Sequence, residues 1–429
     1  MNVLHYPELD ETLYRQTLEC GLTVCVAPRK GFTRKLCYLV TDYGSVHDRF
    51  TLEGQVCSIP AGSAHYLEHK LFDMPGGRDI SAEFAGLGAM VNAFTSYDMT
   101  AYYFTCTEHF EDCLRLLLDF VYTPYFTEES VQKERGIIDQ EIGMNLDSPD
   151  TVVFEELTRC LYRTHPIREP ILGTRESIRQ ITPDTLYRIH RAFYTPGNMM
   201  LCVLGDVEPE TVAELARQRL GTEYRPVAQK QGPVEADLTV PRQRVRGKME
   251  VAMPTFCMAF KGSPFGRGER AIRRELAAEL AAEALFGESS ELYLRLYDAG
   301  LIDSSFGGGF ETLDGCAMLL CSGDSRDPEA VARAVLEQAG KLLEQGIYQE
   351  DFLRLKRGSL GRRIRGLDSF DSTCFRLAAY HFSDFDYFRF PEVFREITPE
   401  ETLALLRETC TEENWAISIL EPIHQEEQP

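Results

Sequence analysis

His65, Glu68 and His69 lie within five consecutive residues, His65-Tyr66-Leu67-Glu68-His69. On a helix, residues four apart share a face, so the two imidazoles can reach one metal ion. Glu68 immediately precedes the second histidine, which sets a carboxylate beside the metal position without making it a ligand. That is where a general base acting on metal-activated water belongs. The spacing H-x-x-E-H is the inverse of the commoner zincin pattern. A chance match would leave both histidines as ordinary helix-face residues. Against that, Ala64, Leu67, Leu71 and Phe72 form an apolar stripe at helical spacing around the polar trio, predicting a helix near 63–73 with one face in a core.

A catalytic zinc site normally takes three protein ligands and keeps a fourth position for water. Two imidazoles therefore need a third donor from elsewhere in the chain. The segment 127–145 reads as a helix, with Glu128 and Glu129 in its first turn. Glu134 and Glu141 are seven residues apart and share one face of it. Spacing alone leaves that face as solvated acidic surface.

Beyond the motif, the chain resembles the insulinase/pitrilysin-type zinc metallopeptidases, and among them the bacterial processing-peptidase-like members. Leu18-Glu19-Cys20-Gly21-Leu22-Thr23-Val24 with Pro28 is similar to the family's first strand and turn, and Tyr38 to Ser45 to its second strand. Val91-Asn92-Ala93-Phe94-Thr95-Ser96 with Tyr102-Tyr103-Phe104 is similar to its paired strands. The resemblance implies a third zinc ligand far downstream of the second histidine, and Glu141, 72 residues past His69, stands in that place. It implies Glu134 as the glutamate that supports the site, Glu68 as general base, and one Zn2+ per chain. It also implies that Asn92, Ala93, Phe94 and Thr95 form a sheet edge to which a peptide substrate adds as a further strand. The other reading of that segment is an ordinary strand held in a core.

Many family members also carry, in a non-catalytic half, an arginine and a tyrosine seven residues apart that grip substrate. Arg295 occupies the matching region, yet the residue seven positions on is Ile302. This departure implies that the zinc-bearing chain works with a homologous partner subunit in a heterodimer, with a homodimer as the alternative.

The remaining composition sets the frame for these residues. The chain has 429 residues and a formal charge of −22, which disfavours nucleic acid and anionic membrane as partners. Thirteen cysteines scattered from Cys20 to Cys410 do not form a compact disulfide framework and fit free thiols in a reducing compartment. Residues 1–18 show no secretion signal, and no apolar run reaches membrane length, so a cytoplasmic protein is expected. Ile181-Thr182-Pro183-Asp184 recurs as Ile397-Thr398-Pro399-Glu400, and Asn198-Met199-Met200-Leu201 recurs as Asn414-Trp415-Ala416-Ile417. Leu146-Asp147-Ser148 recurs as Leu367-Asp368-Ser369. Three landmarks in the same order predict a duplicated unit.

The expected organisation is an α+β fold of two homologous sandwich domains, 1–223 and 247–429, joined by a Pro- and Gln-containing linker at 224–246. In the first half, strands are expected near 22–27, 36–43, 100–106 and 199–205, beside helices near 63–73, 108–121, 127–145 and 183–193. The second half has a histidine-free helix at 275–286, and Arg362 and Arg363 where Glu141 would repeat, so it is expected to be non-catalytic. Ser305 to Phe310 lacks the lysine of a phosphate loop and is expected to be a bulge or turn. The basic run Arg354 to Arg365 is expected to be a solvated helix paired with acidic neighbours. Together these readings predict a zinc-dependent endopeptidase acting on peptides or unfolded segments. The alternative is an accessory or assembly subunit that keeps the peptidase fold, for example one linked to translation-factor modification.

Overall fold

The computed structural model describes residues 1–232 and 235–423, so Pro233 of the expected linker and His424 lie outside the described residues. The chain forms two compact units. The first holds residues 1–142, 169–232 and 364–389, and the second holds 143–168, 235–363 and 390–423. Both are α+β.

In the first unit a seven-stranded sheet has the order Asn2–Tyr6, Glu11–Thr17, Thr23–Pro28, Met199–Gly205, Lys35–Thr41, Thr100–Cys106, Met90–Thr95. Neighbours are antiparallel except Thr23–Pro28 and Met199–Gly205, which run parallel. Met199–Gly205 is buried at every residue, as its unbroken apolar run requires of a strand covered on both faces. The segment expected as the first strand is therefore the third, because two strands precede it. Their side chains are mostly half-exposed, which blurs the period-two signal. A smaller sheet pairs Gln229–Lys230 with Arg49–Leu52, and Arg49–Leu52 with Gln55–Ser58.

The second unit repeats five of those strands in the same order and directions: Arg244–Met249, Trp415–Pro422, Thr255–Gly262, Cys316–Asp324, Gly307–Leu313. The repeated landmarks mark equivalent positions. Thr182 and Thr398 each close a capping box at a helix start. Asn198 and Asn414 precede matching central strands, and their carbonyls accept from the backbone of Asp42 and Lys261.

Two expectations need correction. The segment 224–246 is not a plain linker, since Gln229–Lys230 pairs in one sheet and Arg244–Met249 begins another. The linear halves are not the compact units either. Helix Pro149–Leu161, capped by Ser148, packs on the second unit's Thr255–Gly262 and Trp415–Pro422. Helix Phe370–Phe382, capped by Ser369, packs on the first unit's Lys35–Thr41 and Met199–Gly205. The repeated Leu-Asp-Ser thus marks the start of two equivalent helices, each covering the sheet of the other repeat. In the glycine-rich segment the expected turn falls at Ser304 and Ser305, and Gly307–Leu313 continues as a regular edge strand.

All thirteen cysteines are free, and twelve are buried. Among the described residues no helix is long and apolar enough to cross a membrane.

Glu235 anchors the start of the second repeat. Its Oε1 accepts from the backbone N–H of Arg163, Thr164 and His165 at 2.8, 2.5 and 2.9 Å, and its Oε2 receives Lys261 Nζ at 2.7 Å. Burial alone would raise its pKa, but Lys261 and the backbone donors outweigh that and bring it down to about 2. A carboxylate held below its ordinary value stabilises the fold above that ordinary value, and the contribution disappears as pH falls toward 2. Glu235→Gln is expected to cost about 1–3 kcal/mol at pH 7 and to flatten the loss of stability between about pH 4.5 and 2, read by denaturant melts. An unchanged pH profile would exclude the anchor.

Candidate metal centre

The motif helix spans Ser63–Lys70 and is buried at seven of its eight positions, so it is a core element rather than a surface amphipathic helix. It starts at Gly62, where φ is 87° and a Cβ would sit 2.4 Å from Leu172 O, so only glycine fits. Tyr66, Leu67 and Leu71 are fully enclosed in the first unit's core. Burying each such side chain contributes about 1.5–3 kcal/mol, which fixes the helix's rotation and so the direction of the two imidazoles.

Helix Glu128–Leu146 lies alongside. Thr127 and Ser130 exchange hydrogen bonds at its start, and Val131, Ile138 and Ile142 form its buried stripe. Three contacts hold it to the motif helix. Tyr66 Oη donates to Val131 O, Lys70 Nζ donates to Ser130 O at 3.3 Å, and His69 Nδ1 meets Glu134 Oε1 at 3.0 Å.

The result is a convergence of three donors. His65 Nε2 and His69 Nε2 each lie 3.6 Å from Glu141 Oε2, and the two imidazole rings are 4.5 Å apart between centroids. One ligand atom from each residue lies within 4.8 Å of the others, and no other such group occurs among the described residues. Tetrahedral ligands at bond lengths of about 2.1 Å are roughly 3.4 Å apart, so the observed spacing fits a zinc-sized ion. The donor chemistry fits as well. When His69 donates Nδ1–H to Glu134, its Nε2 lone pair faces the Glu141 carboxylate, and two acceptors facing one another call for a cation or proton between them.

Electrostatics follow the same geometry. Desolvation would lower the His69 pKa, but Glu134, Glu68 and Glu141 together raise it. Glu134 is pushed up by burial and more strongly down by His69 and Lys70, and ends below the usual carboxylate range. Glu141 is held below the usual carboxylate range, chiefly by the neighbouring His65 and then by His69. Glu68 behaves in the opposite way. It is 8% exposed, and desolvation raises its pKa despite both histidines and a hydrogen bond from Thr95 Oγ1 to its Oε2 at 2.6 Å. A buried carboxylate with a raised pKa suits proton transfer better than metal ligation.

Behind the site, Lys70 is fully buried, with Nζ bonded to Asp73 and Ser130 O and 4.0 Å from Glu134 Oε2. Sequence reasoning overlooked it, although a lysine between His69 and the core residue Leu71 was a visible signal. Glu134→Gln is expected to weaken metal binding by roughly 10–100-fold, measured by competition with a chromophoric chelator. Equal affinity in both proteins would remove Glu134 from the site.

Asn92, Ala93, Phe94 and Thr95 lie on Met90–Thr95, the outermost strand of the seven-stranded sheet. Asn92 is exposed and the other three are partly buried. Arg295 belongs to the second unit, where it bonds Ala334 O at 3.4 Å and lies 3.7 Å from Glu337.

That unit's equivalent helices, Glu269–Phe286 and Gln349–Arg365, carry no metal-binding trio. Arg363 donates from Nε to Glu279 Oε2 at 2.7 Å, and Arg362 pairs with Glu283. Arg363 is buried, so the basic run is only partly the solvated face expected of it.

Comparison with known proteins agrees with this division. Residues 38–175 match the family model "Insulinase (Peptidase family M16)", and residues 180–359 match "Peptidase M16 inactive domain". The chain belongs to the M16 peptidase family. It is 36% identical over 427 residues to the uncharacterized zinc protease YmfH of Bacillus subtilis, covering 98% of this chain and 99% of that one. A second Bacillus subtilis protein, the uncharacterized zinc protease YmxG, is 24% identical over 84% of this chain and 88% of its own length. Among solved structures, an M16-like peptidase from Alicyclobacillus acidocaldarius superposes with a TM-score of 0.92 at 32% identity, covering 96% of this chain and 98% of that one.

Proposed function

We propose that this protein is a zinc-dependent endopeptidase that cleaves peptides or unfolded polypeptide segments, as the metal-bearing member of a pair with a homologous subunit. The observation that carries the reading is the meeting of His65 Nε2, His69 Nε2 and Glu141 Oε2 beside a buried Glu68. The zinc-protease names of the relatives support it. The partner is suggested by Ile302, which departs from the arginine–tyrosine spacing that the family resemblance implies.

Zinc held by His65, His69 and Glu141 would supply a Lewis acid that polarises the scissile carbonyl and makes water acidic enough to attack it. Glu68 takes the proton of the attacking water on its carboxylate and returns it to the leaving amine. Glu134, kept ionised by His69 and Lys70, fixes the His69 ring and the tautomer that presents Nε2. The outer edge of Met90–Thr95 offers backbone groups to which an extended peptide adds as a strand.

The test is peptide cleavage by the chain co-purified with its native partner. Treatment with a chelator should abolish cleavage, and about one equivalent of Zn2+ per chain should restore it. Cleavage that persists in metal-free protein would refute the reading. Zinc binding without cleavage by the assembled pair would instead assign the chain an assembly role.

A further inference from the structure

Thr95 stood among the residues expected to contact substrate, but its side chain is directed elsewhere. Along Met90–Thr95 alternate residues face opposite sides of the sheet. Phe94 points to one side, where its ring meets Tyr38, Tyr103 and Phe375. Thr95 points to the other, the side of the motif helix, and its Oγ1 lies 2.6 Å from Glu68 Oε2. We propose that Thr95 is a positioning residue for the general base, whose hydroxyl fixes the Glu68 carboxylate relative to the strand that receives the substrate. This rests on the hydrolytic reading above and deepens it.

Several features make the threonine a rigid mount. A β-branched side chain has few χ1 choices, and a hydroxyl donating to a carboxylate makes a short, charge-assisted bond. Thr95 closes the hairpin opposite Thr100, and the turn that follows is pinned at several atoms. Ser96 N donates to Met99 O at 2.8 Å, while Asp98 N and Met99 N donate back to Ser96 Oγ. Ser45 N and Val46 N donate to Ser96 O and Tyr97 O from a neighbouring loop. There Gly44 comes so close that a Cβ would sit 2.5 Å from Asp98 N. The strand end therefore cannot shift without breaking this set.

The consequence is a coupling between recognition and chemistry. A peptide that pairs with the open side of Met90–Thr95 takes its register from the same backbone that carries Thr95. Glu68 then holds a constant place relative to the bond in that register. With Oε2 engaged by Thr95, Oε1 is the oxygen that receives the proton.

The experiment compares Thr95→Val, Thr95→Ser and Glu68→Gln in the full chain with its partner, alongside zinc content and a crystal structure of the valine protein. Valine keeps the shape and removes the hydroxyl, whereas serine keeps the hydroxyl. Thr95→Val is expected to lower kcat roughly 10–100-fold, with KM and zinc content unchanged and the Glu68 carboxylate rotated in the crystal. Thr95→Ser should recover kcat to within about threefold of the parent, since the donor remains. Full kcat in the valine protein, or equal loss in the serine protein, would overturn the proposal. Should valine disturb folding, Thr95→Ala serves as the hydroxyl-free variant with the same expectations. Activity surviving Glu68→Gln would remove Glu68 as the base on which the reading above relies, a result distinct from an inactive Glu68→Gln beside a fully active Thr95→Val.

Discussion

Glu68→Gln is expected to reduce kcat/KM by about 10²–10⁴-fold while zinc content, fold and KM stay near those of the parent. The substitution is nearly isosteric, and its amide oxygen can still accept from Thr95. What it removes is the carboxylate that carries a proton from water to the leaving amine. A thousandfold loss corresponds to about 4 kcal/mol of transition-state stabilisation. Glu68 is not among the three residues whose donor atoms converge, so the metal should remain bound. Peptide turnover with parallel metal analysis checks both halves of the expectation. Retained turnover would remove Glu68 as base, and lost zinc would make it a ligand.

Glu141→Ala is expected to act on binding rather than on proton transfer. The substitution removes the one negatively charged member of the trio and leaves two imidazoles 3.6 Å from an empty position. Loss of a supporting partner typically costs 10–100-fold in affinity, so loss of a ligand should exceed about 100-fold and take activity with it. Glu134→Gln should fall between this variant and the parent. The chain should stay folded in all three, because the helix carrying both glutamates is held by Val131, Ile138 and Ile142 and by Tyr66 and Lys70 across the gap. Competition titration with a chromophoric chelator gives the order directly. If Glu141→Ala bound zinc as tightly as the parent, the third ligand would have to come from another residue.

Much of the architecture was legible from local signals. The helices expected near 127–145 and 183–193 and the strands near 100–106 and 199–205 lie within one or two residues of those observed, because capping residues and apolar runs act over a few neighbours. The duplication was legible because capping threonines and strand-entry asparagines recur at equal spacing. The exchange of helices Pro149–Leu161 and Phe370–Phe382 was not. Each begins with the same Leu-Asp-Ser signal and has an apolar face, and nothing in a face says which sheet will cover it. The two opening strands were missed for a related reason, being half-exposed along their length.

His65 and His69 share a face because helical periodicity puts residues four apart together, whatever surrounds the helix. The sequence alone therefore determined that two imidazoles able to share one metal ion stood beside an adjacent carboxylate, and that two glutamates seven apart shared another helix face. Tertiary structure decided where each glutamate stands relative to the imidazoles. Packing of Val131, Ile138 and Ile142 sets the rotation of the second helix, and that rotation sends Glu141 to both Nε2 atoms and Glu134 to the far side of His69. The same packing brought Lys70 behind Glu134 and Thr95 onto Glu68. Contacts between residues 27 and 65 positions apart depend on how elements lie against one another, which chain periodicity does not encode.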